Sequence, residues 1–119
     1  MTDRRCGMNK GDVYYANLGS TTGSEQAGLR PVLIFQNITL FTHSRTVIMI
    51  PFTTSLRRAQ IPGCVLVRQG EGGLPQDSVA LCYQIRAIDR SRLQNRLGAL
   101  TDATINEIEN ALNTTFDMS

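Results

Sequence analysis

Residues 31–35 read PVLIF, a continuous apolar run that follows the polar, glycine-rich residues 18–30. A short apolar run bounded by turn residues is typical of a strand that is buried on both faces. The run therefore predicts a central strand of a β-sheet. The stretch before it is too long for a tight hairpin turn, and long loops in compact domains are usually functional or mobile.

Further short runs of strand-forming residues lie on both sides of this central strand. They occupy residues 13–16, 46–50 (closed by Pro51), 64–67, 78–82 and 84–88. Several short strands at close spacing, separated by turn signals, are typical of a small barrel.

The apolar pattern changes its period near the end of the chain. Thr101 can cap a helix, and Asp102 suits the positive end of the helix dipole. The apolar residues that follow are three or four positions apart, which predicts one helix lying on the barrel; they are Ile105, Ile108, Leu112 and Phe116. A shorter helix is expected at 89–93. The predicted fold is mainly β with α: a small SH3-like β-barrel with a C-terminal helix.

Length and composition fit one soluble domain. The chain has 119 residues, of which 41% are hydrophobic and 18% charged, and domains cluster at roughly 100–150 residues. No apolar run approaches the roughly 20 residues that span a bilayer, so no membrane association is expected. The first residues, MTDRRCGMNKGD, are basic and lack the apolar stretch of a secretion signal. We expect a flexible segment at 1–9, a single domain at 10–119 and a cytoplasmic location.

The charges are distributed unevenly along the chain. All twelve basic residues, eleven of them arginine, lie at or before Arg96, and six acidic residues accompany them up to residue 101. The last 18 residues carry only acidic charges, four in number. A basic body suits a polyanionic partner, and the arginine fork can bind phosphate with two hydrogen bonds. Charge alone is weak evidence, because most surface arginines are simply solvated.

Cysteine usage argues against a metal site. Cys6, Cys64 and Cys82 are the three cysteines, they form no CxxC pair, and His43 is the only histidine. Metal sites need clustered thiols or thiols combined with histidines. We therefore expect reduced, mostly buried thiols in or near strands, rather than a zinc site or a cysteine–histidine nucleophile, and we expect no cofactor.

The loop at residues 23–31, GSEQAGLRP, carries groups that can cut RNA. Cleavage without a metal needs a base for the ribose 2′-hydroxyl, positive charge for the phosphorane and a donor for the departing 5′-oxygen. Glu25 can be the base, and Arg30 can stabilise the charge close to the leaving oxygen. Thr53, after the third strand, can add a hydroxyl hydrogen bond. Residue types alone leave a plainer interpretation open, in which the glutamate is solvated, the arginine pairs with a carboxylate and the threonine bonds to backbone.

Four blocks in order resemble the MazF/PemK toxins. They are KGDVY at 10–14, GSEQAGLRPVLIFQN at 23–37, PFTTS at 51–55 and DSVALCYQIRAID at 77–89, so the similarity covers nearly the whole chain. The resemblance implies the toxin of a type II toxin–antitoxin system on a CcdB/PemK-type barrel. It also implies a sequence-specific, metal-independent endoribonuclease that cleaves single-stranded RNA, including mRNA. Such enzymes leave 2′,3′-cyclic phosphate and 5′-hydroxyl ends.

The resemblance also implies site residues and partners. The family's essential arginine falls on Arg30, its essential threonine on Thr53 and the glutamate of GSEQ on Glu25. Expected RNA contacts, through hydroxyl, amide and guanidinium groups, are Ser24, Gln26, Thr54, Ser55, Gln84 and Arg86. A homodimer and an acidic, MazE-like antitoxin that covers the basic surface are implied as partners.

The sequence departs from some family members at one position. Leu29 stands immediately before Arg30, where some members carry a histidine, so a mechanism that uses that imidazole does not apply here. His43 lies in another loop and is expected at the surface. Asp77 and Ser78 belong to the shared pattern, but we expect them to make turn or strand-start hydrogen bonds. Lys10-Gly11-Asp12 is expected to guide the chain into the first strand.

Two functions of other classes remain open from the sequence. The same barrel supports toxins that bind a protein target such as DNA gyrase without catalysis, and these lack the combination of Glu25, Arg30 and Thr53. A non-catalytic RNA-binding barrel is the third possibility. The RNA sequence recognised, the identity of the antitoxin and the assignment of base and acid cannot be read from residue types.

Overall fold

The computed structural model describes residues 8–19, 28–37, 39 and 43–118. Within these ranges the chain forms seven strands and one α-helix, joined in places by single 3-10 turns. The strands are β1 (Asp12–Asn17), β2 (Leu29–Ile34), β3 (Thr46–Thr53), β4 (Cys64–Val67), β5 (Ser78–Leu81), β6 (Arg86–Asp89) and β7 (Leu93–Ala99). The helix is α1 (Asp102–Phe116), and the turns are Leu56–Gln60, Glu71–Gly73, Cys82–Gln84 and Arg90–Arg92. No helix in the described part of the chain is long and apolar enough to cross a membrane.

All strand pairs are antiparallel, in the order β4-β5-β3-β2-β1-β7, and β6 is added on β3. β3 pairs with β2 along one edge. Its other edge pairs first with β6, at residues 46–49, and then with β5, at residues 52–53. Because one long strand belongs to two sets of neighbours, the sheet bends around a core. The predicted small SH3-like barrel with a C-terminal helix is confirmed.

The β2 strand is buried on both faces, as the run PVLIF predicts. Leu33 packs in one apolar cluster with Val13 and Ile50, while Val32 and Ile34 pack in a second cluster on the opposite face. Alternate residues of a strand point to opposite faces, so both clusters depend on the same short segment. Burying each such side chain contributes about 1.5–3 kcal/mol, which makes β2 a rigid support for the residues that precede it.

The third strand does not end at Pro51 as predicted. It continues through Pro51 to Thr53. On the edge that faces β6 and β5, the last β6 pair is Met49↔Arg86 and the first β5 pair is Phe52↔Ala80. Pro51 lies in the gap between these two partners, and proline is tolerated in sheets at such irregular positions. Strand continuation here carries Thr53 to the end of the sheet.

The short helix predicted at 89–93 is wrong. Only a 3-10 turn forms, Arg90–Arg92, with the Asp89 carboxylate accepting a hydrogen bond from the Ser91 N–H at 2.9 Å. The chain then forms β7, which the sequence did not predict. β7 pairs with β1, about 80 residues earlier in the chain, and this distant partner leaves no local signal in a segment whose middle is polar.

The C-terminal helix begins as predicted and ends with one difference. Thr101 Oγ1 accepts a hydrogen bond from the Thr104 N–H at 3.3 Å, which caps the helix. Ile108 and Leu112 are buried in the core. Phe116, predicted on the same stripe, is instead 54% exposed, because it is the last helical residue, at the end that extends past the core contacts.

Candidate active site

Arg30 is held by the stem of the loop that precedes the central strand. It is the second residue of β2 and pairs with Ala16 of β1. Below it, the Leu18 N–H donates to the Gly28 carbonyl at 2.9 Å and the Gly28 N–H donates to the Gly19 carbonyl at 2.8 Å. Both ends of the loop are therefore fixed to the sheet, and Arg30 projects from a rigid backbone.

Thr53 is the last residue of β3 and is buried, with 7% of its surface exposed. Its backbone pairs with Val79 of β5. Its Oγ1 accepts a hydrogen bond from the Ser55 N–H at 3.2 Å. A hydroxyl that accepts in this way keeps its own proton for donation elsewhere, so Thr53 can donate to an oxygen of a ligand.

The register of the sheet brings these two positions together. β2 and β3 are paired through Val32↔Pro51. This is the last paired position; extending the same register by two residues would bring Arg30 across from Thr53. A step of two residues keeps the same face of a strand, so both positions belong to one face of neighbouring strands.

A pocket of about 200 Å³ lies at this end of the sheet. Its walls are Tyr15, Leu29, Arg30, Pro31, Phe52, Thr53, Thr54, Pro75, Gln76 and Ser78. Small-molecule sites commonly measure roughly 300–1,000 Å³, so this pocket fits part of a ligand, such as one phosphate and its neighbouring sugar. A larger pocket of about 420 Å³, beside Lys10 and Gln36, contains none of the predicted site residues.

The structure brings together three of the nine predicted site residues, namely Arg30, Thr53 and Thr54. Ser24, Glu25 and Gln26 lie outside the described residues. Ser55 does not line the pocket, but its N–H orients the Thr53 hydroxyl.

Gln84 and Arg86 also lie outside the pocket walls. Gln84 ends the turn Cys82–Gln84, and its Nε2 donates to Tyr83 Oη at 3.3 Å. Arg86 begins β6 and pairs with Met49 of β3. Contact between these residues and RNA stays a prediction.

Seven of the ten wall residues are not among the predicted site residues, and two of these, Tyr15 and Gln76, bring further polar groups. The β1–β2 register pairs Tyr15 with Pro31, the residue next to Arg30, and this pairing places Tyr15 beside the site. Gln76 lies just before β5, in a turn that approaches the site only in three dimensions. No local signal in the sequence marks it.

The structural roles expected for the shared acidic and hydroxyl residues are confirmed. Asp77 Oδ1 accepts a hydrogen bond from the Gln69 N–H at 2.8 Å. Ser78 Oγ donates to the Gln76 carbonyl at 2.9 Å, although Ser78 also lines the pocket. His43 is exposed, as predicted.

The described cysteines lie in or next to strands, as expected, but only Cys82 is buried. Cys64 lies in β4 and Cys82 follows β5, and both are free. Burial raises the pKa of the Cys82 thiol to about 12. Burial also raises the pKa of the Cys64 thiol, although the charge of Arg58 opposes this. Among the described residues, no three His, Cys, Asp or Glu side chains cluster in a way that could hold a metal ion.

Comparison with known proteins identifies the family of the chain. Residues 9–116 match the model of a family described as the PemK-like, MazF-like toxin of type II toxin–antitoxin systems. The chain is 43% identical over 105 residues to the endoribonuclease MazF of Staphylococcus saprophyticus, which covers 88% of each chain.

Solved structures share the fold. A mycobacterial endoribonuclease in complex with its cognate antitoxin superposes with a TM-score of 0.75 at 28% identity, covering 92% of this chain and 95% of that one. The Mycobacterium tuberculosis toxin MazF-mt6 gives a TM-score of 0.76 at 25% identity, covering 91% and 98%. The chain therefore belongs to the PemK-like, MazF-like family of type II toxin–antitoxin toxins, the family of the MazF endoribonucleases.

Proposed function

We propose that the chain is the toxin of a type II toxin–antitoxin system and cuts single-stranded RNA at the pocket between Arg30 and Thr53. The observation that carries this proposal is the meeting of these two side-chain positions at one small pocket. The family match supports the same activity. Neither the family nor the relatives support the alternative of a toxin that poisons DNA gyrase.

The reaction is an attack by the ribose 2′-oxygen on the adjacent phosphorus. The 2′-oxygen loses its proton, the P–O5′ bond breaks, and the departing 5′-oxygen takes up a proton. The products are a 2′,3′-cyclic phosphate and a 5′-hydroxyl. Negative charge grows on the phosphorane oxygens, and a guanidinium positioned before the reaction stabilises it best. Arg30 supplies that charge from the rigid start of β2.

Thr53 and Glu25 complete the proposed catalytic set. Thr53 Oγ1 accepts the Ser55 N–H at 3.2 Å, so its own proton remains for donation to a phosphate oxygen. Glu25, within the loop that leads to Arg30, is proposed as the base that takes the 2′-hydroxyl proton. The scheme uses neither a metal nor a cofactor.

The distribution of charge supports an RNA substrate. Between Glu25 and Glu71 the chain has no acidic residue, but it has five arginines: Arg30, Arg45, Arg57, Arg58 and Arg68. Such a segment attracts a phosphate backbone. The hydroxyl, amide and guanidinium groups proposed to contact the RNA are those of Ser24, Gln26, Thr54, Ser55, Gln84 and Arg86.

We further propose a homodimer in the cytoplasm that is inhibited by a MazE-like antitoxin. A related mycobacterial endoribonuclease was solved with its cognate antitoxin. Exposed apolar side chains, among them Leu56 and Ile61, give this chain surface for self-association. Light scattering on the purified protein would report two copies if the dimer forms and one copy if it does not.

The activity is tested by incubating the purified protein with a long single-stranded RNA and mapping the new ends. Cleavage at a repeated sequence that leaves cyclic phosphates is expected. An intact RNA that is nevertheless bound would indicate a non-catalytic RNA-binding barrel. An RNA that is neither bound nor cut would contradict the proposal altogether.

Independence from metal is tested in the same assay with EDTA. The cutting rate should be unchanged, because the proposed groups are all side chains of the protein. Activity that EDTA removes and magnesium restores would contradict this mechanism.

A further inference from the structure

Tyr83 is an exposed aromatic residue whose side chain is held in place. It is 40% exposed, and its hydroxyl oxygen accepts two hydrogen bonds, from Arg58 Nη1 at 3.2 Å and from Gln84 Nε2 at 3.3 Å. A phenol oxygen that accepts from two donors still has its own proton, which it can donate to an acceptor on a ligand. The ring therefore offers a face for stacking and a hydrogen-bond donor.

The backbone beneath Tyr83 is also fixed. Tyr83 lies in the single turn Cys82–Gln84, whose first residue, Cys82, is fully buried in the core. The Ile85 N–H closes the turn on the Cys82 carbonyl at 3.2 Å. A Cβ on the neighbouring Gly63 would lie 3.7 Å from Tyr83 Cβ. An aromatic ring ordered in advance loses little conformational entropy on binding.

The turn is connected to the pocket by two routes. β5 starts at the pocket wall, at Ser78, and ends immediately before the turn. Four residues of strand span about 13 Å. On the other route, the segment after Thr53 leads into the turn Leu56–Gln60, from which Arg58 reaches Tyr83.

We infer that Tyr83 is an RNA-binding residue that stacks on a base of the substrate a short distance along the strand from the cut phosphate. Proteins that bind single-stranded RNA combine basic grooves with aromatic side chains on which bases stack. Here Arg58 supplies positive charge at the ring, and Gln84 helps to fix its direction. This inference rests on the proposed function.

The experiment measures affinity for a single-stranded RNA that carries one 2′-deoxy nucleotide at the mapped cut position, which removes the attacking group. Tyr83→Ala should weaken binding by about 5- to 100-fold, the range for loss of one stacked base. Tyr83→Phe keeps the ring and should stay within about fivefold of the wild type. Tyr83→Leu keeps apolar surface without an aromatic face and should resemble Tyr83→Ala.

The matched control is Phe116→Ala, because Phe116 is another exposed aromatic residue, at the end of α1. This variant should bind the RNA with the affinity of the wild type. Light scattering on each variant should give the wild-type mass. The inference is overturned if Tyr83→Ala binds as the wild type does, if Tyr83→Leu restores affinity, or if Tyr83→Ala loses affinity only by changing the oligomeric state. If the wild type cuts RNA in any of these cases, the proposed function stands and only the role of Tyr83 fails. A wild type that neither binds nor cuts RNA overturns both.

Discussion

Arg30 and Thr53 lie two residues beyond the last β2–β3 pair, Val32↔Pro51, and both border one pocket of about 200 Å³. They are 23 residues apart in the sequence, yet each is positioned by the same pair of strands. Because Val32, Leu33 and Ile34 of β2 are buried, Arg30 is anchored on a support that should change little when Arg30 is replaced. Loss of function can therefore be separated from loss of fold.

Replacing Arg30 by alanine should lower single-turnover RNA cleavage by about 100- to 1,000-fold, the usual cost of one donor that stabilises developing charge. Arg30→Lys should restore little, because an ammonium cannot make two parallel hydrogen bonds to a phosphate. Arg45→Ala is the matched control for the loss of one positive charge away from the pocket, since Arg45 is exposed just before the opposite end of β3. Thermal melts should place both alanine variants within about 0.5 kcal/mol of the wild type. Full cleavage by Arg30→Ala would remove Arg30 from the mechanism.

Replacing Thr53 by valine keeps the side-chain shape and removes the hydroxyl. Cleavage should fall by about 100-fold. Stability should also fall, by about 1–3 kcal/mol, because the Ser55 N–H loses its acceptor. Thr53→Ser keeps the hydroxyl and should cleave within about tenfold of the wild type. Single-turnover rates and urea unfolding separate the two effects; equal activity in the valine and serine variants would show that the hydroxyl takes no part.

The sequence predicts what depends on local pattern. The run PVLIF marks the central strand, and Thr101 marks the start of the helix, because burial and capping leave signals in a few adjacent residues. β7 was missed because its partner, β1, is far away in the chain. Pro51 was read as the end of a strand because the change of partner on one edge of β3 is invisible in the sequence.

The same limit applies to the site. Arg30 and Thr53 could be named because their surrounding residues resemble a known family. Their meeting at one pocket depends on the tertiary fold, as does the presence of Tyr15 and Gln76 in its walls. The support of Tyr83 by Arg58 and Gln84 is likewise a tertiary arrangement.

Two glycines at the turn Glu71–Gly73 provide a test of packing. Gly70 and Gly73 both have positive φ, of 95° and 73°. A Cβ on Gly70 would meet nothing within 4 Å, whereas a Cβ on Gly73 would collide with the backbone carbonyl of Leu97 in β7. Gly70→Ala should cost about 1–2 kcal/mol from backbone conformation alone. Gly73→Ala should cost about 2–5 kcal/mol, because overpacking adds to that strain. Urea unfolding measures both losses of stability. Equal losses would show that the turn moves away from β7 and so accommodates the added methyl group at Gly73.

Two ion pairs of different burial should contribute differently to stability. Arg96 Nη2 lies 3.2 Å from Asp12 Oδ1, and the Asp12 side chain is only 4% exposed. This hydrogen bond and the charge of Asp12 raise the pKa of Arg96. Lys10 Nζ lies 2.9 Å from Glu109 Oε2, but both of these side chains are 42% exposed.

Arg96→Ala should lower the free energy of unfolding by about 1–3 kcal/mol, because it leaves the buried Asp12 carboxylate without its cation. The Asn9 N–H also donates to that carboxylate, at 3.0 Å, but it carries no charge. Without added salt, Glu109→Ala should lower the free energy of unfolding by less than about 1 kcal/mol, because both side chains are largely exposed. Salt at about 0.5 M should remove most of that difference, because it screens exposed charges. Urea unfolding with and without the salt measures both values. Equal losses of unfolding free energy for Glu109→Ala and Arg96→Ala would contradict the expectation that burial of Asp12 makes its ion pair with Arg96 the stronger of the two.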